Sequence, residues 1–218
     1  EGATLIALLE LGRAAAAPMP LPAILHLGRS VARDLATIHR QTDAQGVNLR
    51  LCLRTLDPQA VFIERSGAVS LIGCGLANFI SHFVEQELEA RHLAYLSPEQ
   101  AHGLPLDQQT DLFSLGVMLQ EAWLNAPLFI RKTPLETVRA IQALERPPLT
   151  SLGTSRQLPV DFERIVDALL HREAPRRPSA EQAGQGLAAL QTSLEGMSQE
   201  DGQRALATYL RGLTRVLV

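Results

Sequence analysis

Cysteine, lysine, aromatic side chains and long apolar runs are all scarce in this chain, and each scarcity removes a class of protein. The two cysteines, Cys52 and Cys74, form no C-x-x-C pair, so neither a disulfide framework nor a zinc site is expected, and a reducing cytoplasm is the expected location. Lysine occurs once, at Lys132; Lys plus Arg total 20 against 23 Asp plus Glu, for a net charge of -3. A weakly acidic chain with no basic stripe argues against nucleic acid as a partner. No apolar run reaches the roughly 18 residues of a membrane span. No basic segment followed by an apolar one opens the chain as an export signal would. Internal repeats and low-complexity tracts are absent as well.

What remains is 218 residues, 46% hydrophobic and 20% charged. That suits one sizeable domain burying roughly 70% of its unfolded surface. The stretch from Leu51 to Gly75 organises the rest. Val61-Phe62-Ile63 and Val69-Ser70-Leu71-Ile72, joined by Glu64-Arg65-Ser66-Gly67, make a hairpin signal. Around it the pattern is helical. Gly2 to Glu10 reads as a short helix. Pro22 to Arg40 reads as a long one, with Ile24, Leu27, Val31, Leu35 and Ile38 on one face. Further helices are expected over Asp107–Leu124, Pro134–Leu144 and Val160–Leu170. Ser179-Ala180-Glu181-Gln182 is a capping box that starts another helix, running to about Leu194. Gly184 to Ala189 matches G-x-G-x-x-A but lies inside that helix and follows no strand, so a dinucleotide site is rejected.

The flanks of the hairpin carry a resemblance. Leu53-Arg54-Thr55-Leu56-Asp57-Pro58-Gln59-Ala60 precedes it and Gly73-Cys74-Gly75 follows it. This frame resembles the catalytic loop H-R-D-L-K-P-x-N and the D-F-G loop of the eukaryotic-type protein kinases, as found in bacterial serine/threonine kinases. Tyr95-Leu96-Ser97-Pro98-Glu99-Gln100 resembles the end of that family's activation segment. The helix containing Asp111 and the run Pro175-Arg176-Arg177-Pro178-Ser179 fit later family motifs. The resemblance covers roughly residues 1–194. It implies a mainly helical large lobe with a small two-stranded hairpin; beyond the family's end, the apolar stripe of Leu206, Tyr209, Leu210, Leu213, Val216 and Leu217 predicts an amphipathic helix over 195–218. Because Glu1 is not methionine, the chain is expected to be a fragment lacking the family's N-terminal β lobe.

Residue by residue, the resemblance assigns scaffold roles to Arg54, Gly75, Glu99, Asp111 and Arg177, with Glu99 and Arg177 as a buried ion pair. At the chemical positions the chain departs from the family. Thr55 replaces the carboxylate that takes the acceptor's proton. Asp57 replaces a lysine near the transferred phosphate, and Ala60 and Gly73 replace magnesium ligands. Magnesium needs oxygen donors, and phosphoryl transfer rests on positioning and charge neutralisation. The expectation is therefore a catalytically inactive member, a pseudokinase without ATP or magnesium, acting on another protein as a regulatory or interaction module. The alternative is a divergent ATP-dependent serine/threonine kinase, with Asp57 as a displaced base, or a nucleotide-binding pseudokinase. In either case the N-terminal lobe would lie outside this chain. Candidate contacts are the acidic run Glu85, Glu87 and Glu89, which could instead pair with Arg54, and Tyr209, Arg211 and Arg215 on the last helix. That helix either docks on its own domain or offers a face to a partner. His39 is expected to be structural, and His82 and His92 to be surface residues.

Overall fold

Helix periodicity and capping chemistry account for most of the architecture. The computed structural model describes residues 1–73, 90–147, 158–194 and 198–215. Helix α1 spans Leu5–Ala14 and α2 spans Leu21–His39. Pro20 and Pro22 bracket the start of α2, where proline's missing N–H leaves no helical bond unmade. Of the expected stripe, Ile24, Leu27, Val31 and Leu35 are buried and Ile38 is half-buried.

The hairpin is present as β2, Val61–Glu64, and β3, Val69–Leu71, with Val61, Ile63 and Val69 turned into the core. It is not alone, which corrects the two-stranded expectation. Gly2–Thr4 forms β1, antiparallel to β2, with Gly2 opposite Glu64 and Ala3 opposite Ile63. The helix expected from Gly2 therefore begins only at Leu5. The reason is non-local: the free edge of β2 offers hydrogen bonds that a glycine at a helix start does not. A Cβ on Gly2 would lie 2.3 Å from the Ile63 carbonyl, so only glycine fits there.

Beyond the hairpin follow α3, Ala90–Leu93; α4, Pro98–Ala101; α5, Gln109–Leu124; and α6, Pro134–Ala143. Then come α7, Val160–Leu169; a 3-10 turn, Ala174–Arg176; α8, Ala180–Ser193; and α9, Gln199–Arg215. Helix α5 is buried on every side. It starts two residues later than its apolar pattern suggested because the Asp107 carboxylate accepts the Gln109 N–H at 3.0 Å. Capping boxes at Thr133/Glu136 and Ser179/Gln182 start α6 and α8. Helix α2 lies at the centre, against α5, α8, α9 and β3. Trp123 packs on Phe162 at 5.7 Å, beside the Phe113–Phe129 stack.

Helix α9 docks on its own domain, burying Leu206, Leu210 and Leu213. It crosses the hairpin tip so closely that a Cβ on Gly67 would lie 2.2 Å from the Gln203 carbonyl. Further along the helix the Tyr209 hydroxyl donates to the Ala17 carbonyl at 2.7 Å and fills the space left by Gly12. His26 of α2 completes the junction, with Nε2 at 3.0 Å from the Gly67 carbonyl. Among the described residues no helix is long and apolar enough to cross a membrane.

Candidate active site

The loop between α2 and β2 is held from below by one carboxylate. Asp111, fully buried near the start of α5, accepts the Leu53 N–H through both oxygens, at 3.1 and 2.9 Å. It also accepts the Arg54 N–H at 3.1 Å. Its Oδ2 further takes the His39 Nε2–H at 2.9 Å, so His39 is the structural residue the sequence suggested. Arg54 itself is left-handed, φ 63°, a conformation that costs a non-glycine residue about 1 kcal/mol or more. Asp111 holds its N–H, and the Gln100 side chain holds its carbonyl at 2.6 Å.

A second carboxylate shapes the outer end of the loop. Asp57 Oδ1 accepts the Gln59 N–H at 2.7 Å and the Ala60 N–H at 3.2 Å. Its Oδ2 faces His92 Nδ1 in a hydrogen bond. An ionised carboxylate only accepts, so the imidazole Nδ1–H is the donor in this bond. Arg54, Thr55, Leu56, Asp57, His92, Tyr95 and Leu96 enclose a cleft of about 30 Å³. That leaves room for a water-sized group such as a hydroxyl. His92 is therefore not the bare surface residue expected from its spacing; its partner stands 35 residues away in sequence. Thr55 lies exposed at the mouth, its hydroxyl 3.4 Å from the Leu53 carbonyl.

The floor behind the cleft is fixed by Glu99 and Arg177. The guanidinium grips both carboxylate oxygens, at 2.7 and 2.8 Å. It spends its other donors on the carbonyls of His171, Gln109 and Arg172 and lies over the Phe113 ring at 4.9 Å. Thr110 adds a hydroxyl to Glu99 at 3.0 Å. Burial pushes the Glu99 carboxyl up, but the Arg177 hydrogen bonds and charge outweigh it and hold it below its ordinary value. Above this pair Tyr95 donates to Glu121 at 2.8 Å. Burial first, and then the Glu121 charge, raises the phenol, which stays a donor. Burial likewise raises Glu121, against the pull of the Leu128 N–H at 2.8 Å.

The structure thus brings Arg54, Thr55, Asp57, Ala60, Glu99, Asp111 and Arg177 into one region. Gly73, at φ 71°, follows β3 in the open. Gly75, Glu85, Glu87, Glu89, Cys74 and His82 lie outside the described residues, so the proposed pairing of the acidic run with Arg54 does too. Tyr209 points into the fold; Arg211 is exposed, and the Arg215 side chain lies outside the described part. Sequence reasoning missed His92 and Gln100. Gln100 carried a signal, since it stands at the third helical position after the capping Ser97.

At the two positions where the family binds magnesium, Ala60 and Gly73 offer no side-chain oxygen. Among the described residues no group of three or more His, Cys, Asp or Glu is placed to hold a metal ion. These residues do not by themselves fit the ion, and no step below passes through it.

A hairpin, a loop clamped by a buried aspartate and a buried Glu–Arg pair beneath it define the large lobe of a protein-kinase-like domain. The family described as "Protein kinase domain" matches residues 14–186, and the chain belongs to that family. It is similar to the tyrosine-protein kinase MasK of Myxococcus xanthus, 29% identical over 198 residues, covering 89% of this chain and 30% of that protein. The serine/threonine-protein kinase PknB of Mycobacterium leprae is 28% identical over 127 residues, 57% of this chain and 20% of that protein. The serine/threonine-protein kinase pkn2 of Myxococcus xanthus is 27% identical over 190 residues, 83% of this chain and 22% of that protein. The chain therefore spans under a third of the length of these curated relatives.

These findings correct two expectations. The expected absence of enzymatic activity is overturned by membership of the kinase family and by relatives that are all named as kinases. The expected absence of ATP and magnesium falls with it, because kinase chemistry implies both. The physical fault lay in equating a position with a function. Thr55, Asp57, Ala60 and Gly73 show what four positions lack, not what neighbouring side chains bring to the same cleft.

Proposed function

We propose that this chain is the large lobe of a divergent ATP-dependent protein kinase that phosphorylates hydroxyl side chains of proteins, serine and threonine foremost. The observation that carries the reading is the clamp of Asp111 on the Leu53 and Arg54 N–H groups. It keeps a left-handed Arg54 in place at the mouth of a hydroxyl-sized cleft. Stored backbone strain of this kind concentrates at working sites. The names of the relatives support the same reaction class.

ATP supplies the phosphoryl group. The chain's own residues position the acceptor and handle its proton. Arg54 and Gln100 fix the loop's course, Glu99 and Arg177 fix the floor, and the cleft beside Thr55 receives the hydroxyl. In this reading residues 1–194 are the kinase-like part, 195–218 an appended helix, the substrate another protein, and the setting the cytoplasm.

The test is transfer of labelled phosphate from ATP to a serine- and threonine-containing protein, and to the protein itself, by the full-length protein carrying this chain. Transfer above background is expected, with loss in Asp111→Asn. A melt of the same protein gives an independent measure. Nucleotide at about 100-fold over its Kd adds roughly 2.7 kcal/mol, a shift of about 5–10 °C for a domain of this size. No transfer and no shift, with and without magnesium, overturns the reading.

A further inference from the structure

Away from the catalytic loop, a groove of about 360 Å³ runs between α2 and α8. A second hollow of about 170 Å³ continues it towards His39, sharing Ala36, Arg40, Ala180 and Glu181. The floor is made of small residues: Ala32 and Ala36 from α2, and Ala180, Gly184 and Ala188 from α8. Glycine weakens a helix interior relative to alanine, yet the packing of the described residues does not require one at 184. A Cβ there would meet only the Ala32 Cβ, at an ordinary 3.6 Å. The rim, by contrast, is charged. Arg29, Arg33 and Arg40 stand along the α2 side, and Glu181 along the other. Arg33 is paired with Asp34 at 2.9 Å; Arg29 is half-buried and Arg40 exposed. In a chain of net charge -3, three arginines against one carboxylate among the described lining make this rim locally positive.

We propose that this groove docks an acidic helical segment of a partner protein, a binding role separate from the kinase chemistry proposed above. Two helices packed side by side leave a furrow that fits a third, and small residues let its backbone come close. Arg29, Arg33 and Arg40 follow one another at four and seven residues, which on a helix is roughly 6 and 10 Å along the axis. At 3.6 residues per turn the three fall within about 40° of one another around α2. A helix laid alongside meets them with carboxylates at i, i+4 and i+11, a spacing that keeps all three on one face of that helix too. Its small or apolar side chains then turn to the alanine floor. Arginine suits the rim, since its planar fork can hold a carboxylate through two bonds. The groove shares no lining residue with the cleft beside Thr55, so a docked segment leaves that cleft open to an acceptor.

The probe is a labelled, alanine-based helical peptide of about 20 residues with glutamate at i, i+4 and i+11. It is titrated against the full-length protein carrying this chain and followed by fluorescence anisotropy, with a glutamine version as the uncharged control. Saturable binding of the glutamate peptide is expected, about tenfold tighter than the control and weakening as salt rises. Two variants, each first checked for a native melt, separate rim from floor. Arg29→Glu combined with Arg40→Glu should weaken the glutamate peptide about tenfold, and a lysine version of the peptide should bind this variant better than it binds wild type. Gly184→Leu leaves every charge in place and raises the floor, and it should weaken binding by a similar factor. A loss on charge reversal with none in Gly184→Leu overturns the docking groove, because charge alone would then hold the peptide. Co-sedimentation with phosphatidylserine vesicles, abolished by the charge reversal and untouched by Gly184→Leu, would assign the rim to a lipid surface and overturn it as well. So would equal binding of the glutamate and glutamine peptides, or saturable binding of neither. Gly184→Ala gives a readout without any peptide. It should melt above wild type, and a lower melt would return the glycine to the fold and overturn the reading of the floor as space kept for a partner.

Discussion

Asp111 and Asp57 make nearly the same bonds on opposite sides of one loop. Each accepts two backbone N–H groups and one histidine: Leu53, Arg54 and His39 for the first, Gln59, Ala60 and His92 for the second. What differs is depth. The side chains of His39 and Asp111 are 7% and 0% exposed, against 31% and 8% for His92 and Asp57. A sealed pair is cut off from substrate and can only hold shape. The other pair stands at the edge of a cleft, with its ring partly in contact with water. The same donor and acceptor chemistry is thus used at two depths, once sealed in the core and once at the rim of a cleft.

The comparison breaks most visibly if its buried side proves dispensable. Arg177→Met strands Glu99 as an uncompensated buried charge and should lower unfolding free energy by about 3–5 kcal/mol, measured by urea denaturation. The acid side of the stability curve should change as well. Glu99 is held below its ordinary value, so its contribution is present above about pH 4.5 and disappears as pH falls through the folded value. Arg177→Met should erase that drop, and a variant that keeps it would mean the pair is not what titrates.

Asp111→Ala against Asp57→Ala sharpens the contrast directly. The first leaves two loop N–H groups and His39 unpartnered in a dry interior and should cost about 3 kcal/mol. The second removes a cap from a short turn near the surface, about 1 kcal/mol. Equal losses would dissolve the distinction between the two carboxylates. Gly67→Ala is the control remote from both pairs. Its new methyl would meet a backbone oxygen at 2.2 Å in a residue whose φ is 83°, and a cost of about 1–3 kcal/mol is expected. Retained stability would show that α9 is not seated on the hairpin tip.

The smallest effect concerns His26, a third kind of histidine. Burial keeps its pKa below the ordinary 6.5, against the pull of the Gly67 carbonyl and with the help of Arg29 and Arg33. Its Nε2–H is bonded to that carbonyl, and its Nδ1 is buried with no hydrogen-bond partner among the described residues. The unfolded chain therefore binds a proton that the folded chain refuses. Stability should decline as pH falls below about 6.5. His26→Gln should flatten that slope in melts run from pH 8 to 5, and an unchanged slope would place the titration elsewhere.

The helices were legible because their information is local. The 3.6-residue stripe of α2 and the capping boxes of α6 and α8 sit within a few residues of what they specify. Strand β1 was not legible, because Gly2-Ala3-Thr4 has no pattern of its own and takes its conformation from residues 62–64. The scaffold of the site could be read from Arg54, Glu99, Asp111 and Arg177, which stand where the family motifs put them. The chemistry could not. His92 meets Asp57 only when folding closes a gap of 35 residues. Reading Thr55, Ala60 and Gly73 one by one therefore ended in an inactive protein.

The seating of α9 also bears on how the chain is made. Its contacts join Gln203 to Ser66 and Tyr209 to Ala17, separations of 137 and 192 residues. At a synthesis rate of about 5–20 residues per second, the surface around α1 waits roughly 10–40 s on the ribosome before Tyr209 exists to cover it. Through that interval the partner faces of Leu206, Leu210 and Leu213 are open to other chains. That interval is when a nascent-chain chaperone would find the surface uncovered.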